Sequence, residues 1–105
     1  MKILHIGVPA TKEMPGEMYA EAYKEYYTNA DDHPYKLEFF RFPDGCDAFP
    51  QEMINTWHVC IEVDSVEDSI KDMDEVILPI QSDANPIFAF AKKDGVLFEI
   101  RGHIL

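Results

Sequence analysis

The sequence predicts an α+β domain made of two related halves, the second a βαβββ-type module and the first a shortened version of it. Three observations carry this. An apolar strand pattern with a histidine near its start stands at Lys2-Ile3-Leu4-His5-Ile6-Gly7-Val8 and again at Trp57-His58-Val59-Cys60-Ile61-Glu62-Val63. The second copy runs through a capped helix pattern into three further short strand patterns. Each half closes on a strand with a glutamate in its middle, Glu38 in the first and Glu99 in the second.

Residues 2–8 alternate in strand fashion, with Ile3, His5 and Gly7 on one face and Leu4, Ile6 and Val8 on the other. Pro9 has no amide hydrogen to donate and ends the ladder. The polar run 11–17, broken by Pro15 and Gly16, suits a connecting loop with room for one helical turn. Met18, Tyr19, Ala22, Tyr23, Tyr26 and Tyr27 fall at the spacing of an amphipathic helix, and periodicity alone favours that reading. The rival is a hairpin from 21 to 42, because the tyrosines and Thr28 suit a pleated surface and Tyr35–Phe42 reads clearly as a strand.

Pro43, Gly45 and Pro50 punctuate the one plausible hinge, so a linker of about 44–56 separates a first half of about 1–43 from a second half of about 57–105. Beyond it come a strand at 57–63, a helix from about Val66 to Lys71 and a strand at 75–80. Asp64 or Ser65 serves as the N-cap, with Asp68 completing a shortened capping box. A polar loop at 81–86 leads to strands at 87–92 and 96–101. The Asp94-Gly95 pair between them is a strong hairpin signal.

A chain of 105 residues holds one small domain with a single core, and 47% hydrophobic and 12% aromatic residues favour a folded chain. The formal charge of -11 argues against nucleic acid or an anionic membrane surface as partner and is compatible with cations. No window has the long apolar run of a signal or membrane segment, so a cytoplasmic protein is expected. Cys46 and Cys60 lack CxxC spacing and read as free thiols. Cys60 falls two places after His58, on the same strand face, and reads as a small buried residue rather than a nucleophile. Glycine-rich nucleotide loops, a GxSxG elbow and the His-x-His pair of a cupin are all absent.

His5, Glu38, His58 and Glu99 each sit in a strand otherwise built for burial. A carboxylate in the middle of such a strand is costly unless paired or bound to a metal. Taken singly, a strand histidine is more often packed and a strand glutamate more often faces water. The arrangement is what raises the odds, because two imidazoles and two carboxylates at one point form a site suited to Zn, Ni, Co, Mn or Fe(II).

These residues carry a family resemblance. The chain resembles the vicinal oxygen chelate superfamily, which includes glyoxalase I, methylmalonyl-CoA epimerase, extradiol dioxygenases and the bleomycin and fosfomycin resistance proteins. The matching pieces are Ile3-Leu4-His5-Ile6-Gly7-Val8, Lys36-Leu37-Glu38-Phe39-Phe40, His58 through Glu67, and Asp94-Gly95-Val96-Leu97-Phe98-Glu99-Ile100. The resemblance implies a single glyoxalase-like domain over residues 1–105, with paired modules in a curved, mostly antiparallel sheet. It implies one divalent metal ion held on the concave face by His5, Glu38, His58 and Glu99. Only 32 residues lie between His5 and Glu38, too few for the helix and three strands that the family has there. Keeping the strand before Glu38 makes Glu21–Thr28 a strand and shrinks the helix into residues 10–20.

The implied activity is that of a lyase, isomerase or epimerase acting on a small oxygen-rich metabolite. Two neighbouring substrate oxygens would face the ion, and Glu38 or Glu99 would act as general base. Arg41, Arg101 and Lys24 are candidate anchors for an anionic substrate. Phe40, Phe42, Tyr27 and Trp57 are candidate lining of its cavity. A non-catalytic binding or sequestering protein of the same fold is the alternative, and a purely structural pair of β-modules is a third. Open sheet edges and family habit imply a homodimer.

Overall fold

β1 (Lys2–Pro9) and β5 (His58–Glu62) lie antiparallel at the centre of one eight-stranded mixed sheet, and the other strands spread outward from this seam. The computed structural model describes residues 1–43 and 49–102. On one side stand β4 (Leu37–Arg41), β3 (Glu25–Tyr27) and β2 (Met18–Ala20), and on the other β8 (Val96–Arg101), β7 (Phe88–Lys93) and β6 (Glu75–Gln81). The order β2-β3-β4-β1-β5-β8-β7-β6 reads the same way outward from the seam in both directions. In each half the first strand pairs in parallel with the last, and the remaining pairs are antiparallel.

Local chemistry explains the second half. The Ser65 hydroxyl accepts the Asp68 N–H at 3.2 Å and starts α2 (Val66–Lys71), with Glu67 and Asp68 in the first turn and Lys71 in the last. That distribution opposes the helix dipole at both ends. Val66, Ile70 and Met73 pack on Ile61, Ala89, Ala91 and Ile100. Asp94 (φ 52) and Gly95 (φ 80) both take the left-handed backbone that closes the two-residue β7–β8 hairpin. On the opposite face of this half, a second cluster joins Met53, Leu78, Phe90 and Leu97. Met53 belongs to α1 (Gln51–Asn55), a short helix within the predicted linker that the sequence reading did not place. Cys46, with residues 44–48 of that linker, lies outside the described residues, whereas Cys60 is a buried free thiol.

The first half departs from expectation in two ways. No helix forms at 10–20, and within the stretch expected as a strand at Glu21–Thr28 only Glu25–Tyr27 is one, pairing with β4 as expected; it also pairs with Met18–Ala20 through a turn at 21–24, in which Lys24 adopts φ 52. Cross-strand packing decides this, for Tyr19 and Tyr26 stack at 4.8 Å between ring centroids and Arg41 on β4 lies 4.3 Å over the Tyr26 ring. The half is therefore shorter than the second because no α-helix stands between its first two strands, with a 3-10 turn at Ala30–Asp32 in the connection to β4. The second departure is a one-residue register slip between Ile3 and His5. Ile3 pairs with Ile61 and is 64% exposed, while His5 pairs with Cys60 and is buried, so strict alternation from Ile3 to His5 fails.

None of the described helices is long and apolar enough to cross a membrane.

Candidate metal centre

The seam sets the positions of the site residues. On β1, His5 stands opposite Cys60 and Gly7 opposite His58, while Glu99 on β8 pairs with Cys60 from the far side of β5. Glu38 on β4 pairs with Gly7. Four strands thus bring the four expected residues onto one face.

Their polar atoms converge. His5 Nε2 lies 3.5 Å from Glu38 Oε1 and 3.9 Å from Glu99 Oε1, and His58 Nε2 lies 3.2 Å from Glu99 Oε1. One donor atom each from His5, Glu38 and His58 falls within 4.8 Å of the others. His5, His58 and Glu99 are buried, with relative exposures of 5%, 4% and 8%. His5 Nε2 and both ring nitrogens of His58 nevertheless lack a hydrogen-bond partner. Buried imidazole nitrogens left unmatched are costly, and an ion at the point they share would satisfy those that face it.

Further features fit an ion here. A Cβ on Gly7 would come within 3.0 Å of three His58 ring atoms, so the glycine is a cradle for that imidazole. Arg101 donates from Nε to Glu99 Oε2 at 2.8 Å, which leaves Oε1 turned to the histidines. The two histidine nitrogens and the Glu38 oxygen that lie within 4.8 Å of one another, with Glu99 Oε1 3.2 Å from His58 Nε2, are donors of the kind that suit a first-row divalent ion.

Electrostatics separates the two carboxyls. Burial pushes Glu38 up to about 8, with the charges of Glu99 and Glu25 acting the same way. Burial would also raise Glu99, but His58 and Arg101 outweigh it and hold that carboxyl down to about 2. Burial lowers His5 to about 4, leaving its nitrogen as a lone-pair donor at neutral pH.

The site opens into a cavity of about 400 Å³ whose wall includes Tyr27, Phe40, Phe42, Phe49, Phe88 and Phe90, with Glu38, His58, Glu99 and Arg101 also on its lining. The expected lining by Phe40, Phe42 and Tyr27 is present, but Trp57 is 50% exposed and does not take part. Among the expected anchors, Arg101 lines the cavity, and Arg41 is already engaged by Glu17 at 2.6 and 2.7 Å. Lys24 is exposed in the β2–β3 turn and is not on the cavity wall.

Two residues escaped the sequence reading. Gly7 carries no chemical signal, and its role depends on the register that places it against His58. Glu25 also lines the cavity, and burial together with the charge of Glu99 raises it to about 7. It lies in the stretch whose tyrosine spacing suggested a helix. Comparison with family models, with curated proteins and with solved structures gives no match to this chain.

Proposed function

We propose that the chain is a divalent-metal-dependent enzyme of the vicinal oxygen chelate type, a lyase, isomerase or epimerase acting on a small oxygen-rich molecule. The observation that carries this is the meeting of unpartnered, buried imidazole nitrogens with two carboxylates on the lining of an aromatic-walled cavity. The paired βαβββ-type layout, with the first module short, is supported by the identical outward strand order of the two halves. His5, Glu38, His58 and Glu99 would hold the ion, with zinc, nickel, cobalt, manganese or iron(II) suited to the donors. Such an ion supplies fixed positive charge that stabilises an oxyanion developing on a substrate.

Glu38 is the better general base. Its carboxylate has no hydrogen bond among the described residues, whereas Glu99 is fixed by Arg101.

The same wall favours a second reading, a protein that binds an aromatic or amphiphilic molecule without chemistry. Metal analysis of protein purified without chelator, followed by zinc titration calorimetry, separates the two. The enzyme reading expects one ion per chain and its loss in His58→Ala. It fails if wild type neither carries nor binds a divalent ion, and retained binding of an aromatic ligand would then favour the second.

A homodimer is the proposed assembly. α2 covers one face of the second half, and no α-helix among the described residues covers the corresponding face of the first, where Tyr19 is 51% exposed. Light scattering at twice the chain mass is the expected result.

A further inference from the structure

A second group of donors overlaps the four residues described above. Cys60 pairs with His5 on one side and with Glu99 on the other, so the three form a row across β1, β5 and β8. Its thiol, a His5 ring nitrogen and a Glu99 oxygen lie within 4.8 Å of one another. The seam is asymmetric at this level. The position facing His58 is Gly7, where even a Cβ does not fit, whereas the position facing His5 carries both a Cβ and a sulfur.

A small apolar residue would fill that space equally well, and a buried cysteine is often no more than that. Two observations stand against the packing account. Cys60 is 0% exposed, yet it belongs to neither apolar cluster. Polar donors adjoin it, a His5 ring nitrogen and a Glu99 oxygen, and the His5 ring carries a buried nitrogen with no hydrogen-bond partner.

We propose that Cys60 is a metal ligand, its thiolate binding alongside His5 and Glu99, so that the site selects borderline-soft ions such as zinc and cobalt over manganese and magnesium. This rests on the metal-site reading given above. On binding, the S–H bond is exchanged for a sulfur–metal bond and the proton leaves to the buffer. A thiolate in the donor set favours zinc and cobalt over harder ions that prefer oxygen.

Cobalt(II) titration of the full chain under anaerobic conditions tests this. Wild type is expected to show a near-ultraviolet sulfur-to-cobalt charge-transfer band together with visible ligand-field bands. Cys60→Ser is expected to lose the first and keep the second, and Cys46→Ser to keep both. Ligand-field bands without the charge-transfer band in wild type would overturn the cysteine assignment and leave the metal site standing. A charge-transfer band that survives in Cys60→Ser would do the same. No cobalt binding at all would overturn the metal site and this inference with it. X-ray absorption of zinc-loaded wild type needs no substitution at a buried position. A Zn–S shell at about 2.3 Å is expected there, and a shell of nitrogen and oxygen alone would refute the assignment.

Discussion

Gly7 faces His58 across the central seam, and the imidazole of His58 occupies the space in which a Gly7 side chain would stand. The constraint is steric, since the backbone needs no left-handed angle there. Gly7→Ala must push the ring away from Glu99 or part β1 from β5. A cost of about 1–3 kcal/mol in urea denaturation is expected, with zinc affinity down about 10- to 100-fold by calorimetry. Gly16→Ala is the control: Gly16 has φ +80 with open space around it, so strain is added far from the ring. Zinc affinity should be unchanged there, and equal losses in the two variants would refute the cradle.

Arg101 restrains Glu99 through one oxygen and leaves the other for the histidines. Arg101→Gln removes the charge that helps keep this buried carboxyl ionised. Stability should fall by about 1.5–3 kcal/mol, the range for a hydrogen bond to a charged group. Zinc affinity should also become more sensitive to acid, because protons then compete better for Glu99. Arg101→Lys should recover only part, since an ammonium lacks the planar fork. A zinc pH profile identical to wild type in Arg101→Gln would show that the guanidinium plays no part in setting the site.

Arg41, an expected substrate anchor, is committed to structure. Its guanidinium pairs with Glu17 through two nitrogens and lies over Tyr26. Arg41→Ala should therefore loosen the β2–β3 hairpin, seen as faster hydrogen exchange at Tyr26 and Thr28, and leave zinc affinity unchanged. Unaltered exchange with impaired zinc binding would reverse the assignment.

The four residues that the strands bring onto one face were legible because each interrupts an apolar strand with a group that burial penalises. The second half was legible because its signals are local: a serine cap for α2, an Asp-Gly turn for the last hairpin, and period-two alternation between them. The first half hides its structure in long-range contacts. Met18–Tyr27 satisfies a helical period, and what defeats the helix is Tyr19 stacking on Tyr26 with Arg41 laid over it from β4. Lys24 in a left-handed turn gives no glycine signal for the bend. Once that stretch was unclear, Glu25 had no visible place beside the site.

Glu25 gives the metal-free protein a distinctive pH response. Burial and the charge of Glu99 raise it to about 7, with Arg101 opposing, and burial with Glu99 and Glu25 raises Glu38 to about 8. A raised carboxyl stabilises the fold in its protonated form. Its contribution is complete below the ordinary 4.5 and is lost as pH rises through the folded value. His5 and Glu99, lowered to about 4 and about 2, act in the opposite sense and lose their contributions only as pH falls below 6.5 and 4.5. Between pH 6.5 and 8, then, only the two raised carboxyls release protons on unfolding, and stability must decline. The expected decline is on the order of 1–2 kcal/mol, reduced from the full linkage value by solvent screening. Urea denaturation of chelated protein across this window measures it. Glu25→Gln should make the decline shallower below about pH 7, where both carboxyls contribute, and leave the Glu38 decline running on toward about pH 8. Zinc should abolish the decline, because a bound cation favours both carboxylates. A chelated wild type equally stable at both ends of the window would show that these carboxyls titrate normally, and that the cavity wall is wetter than its aromatic lining suggests.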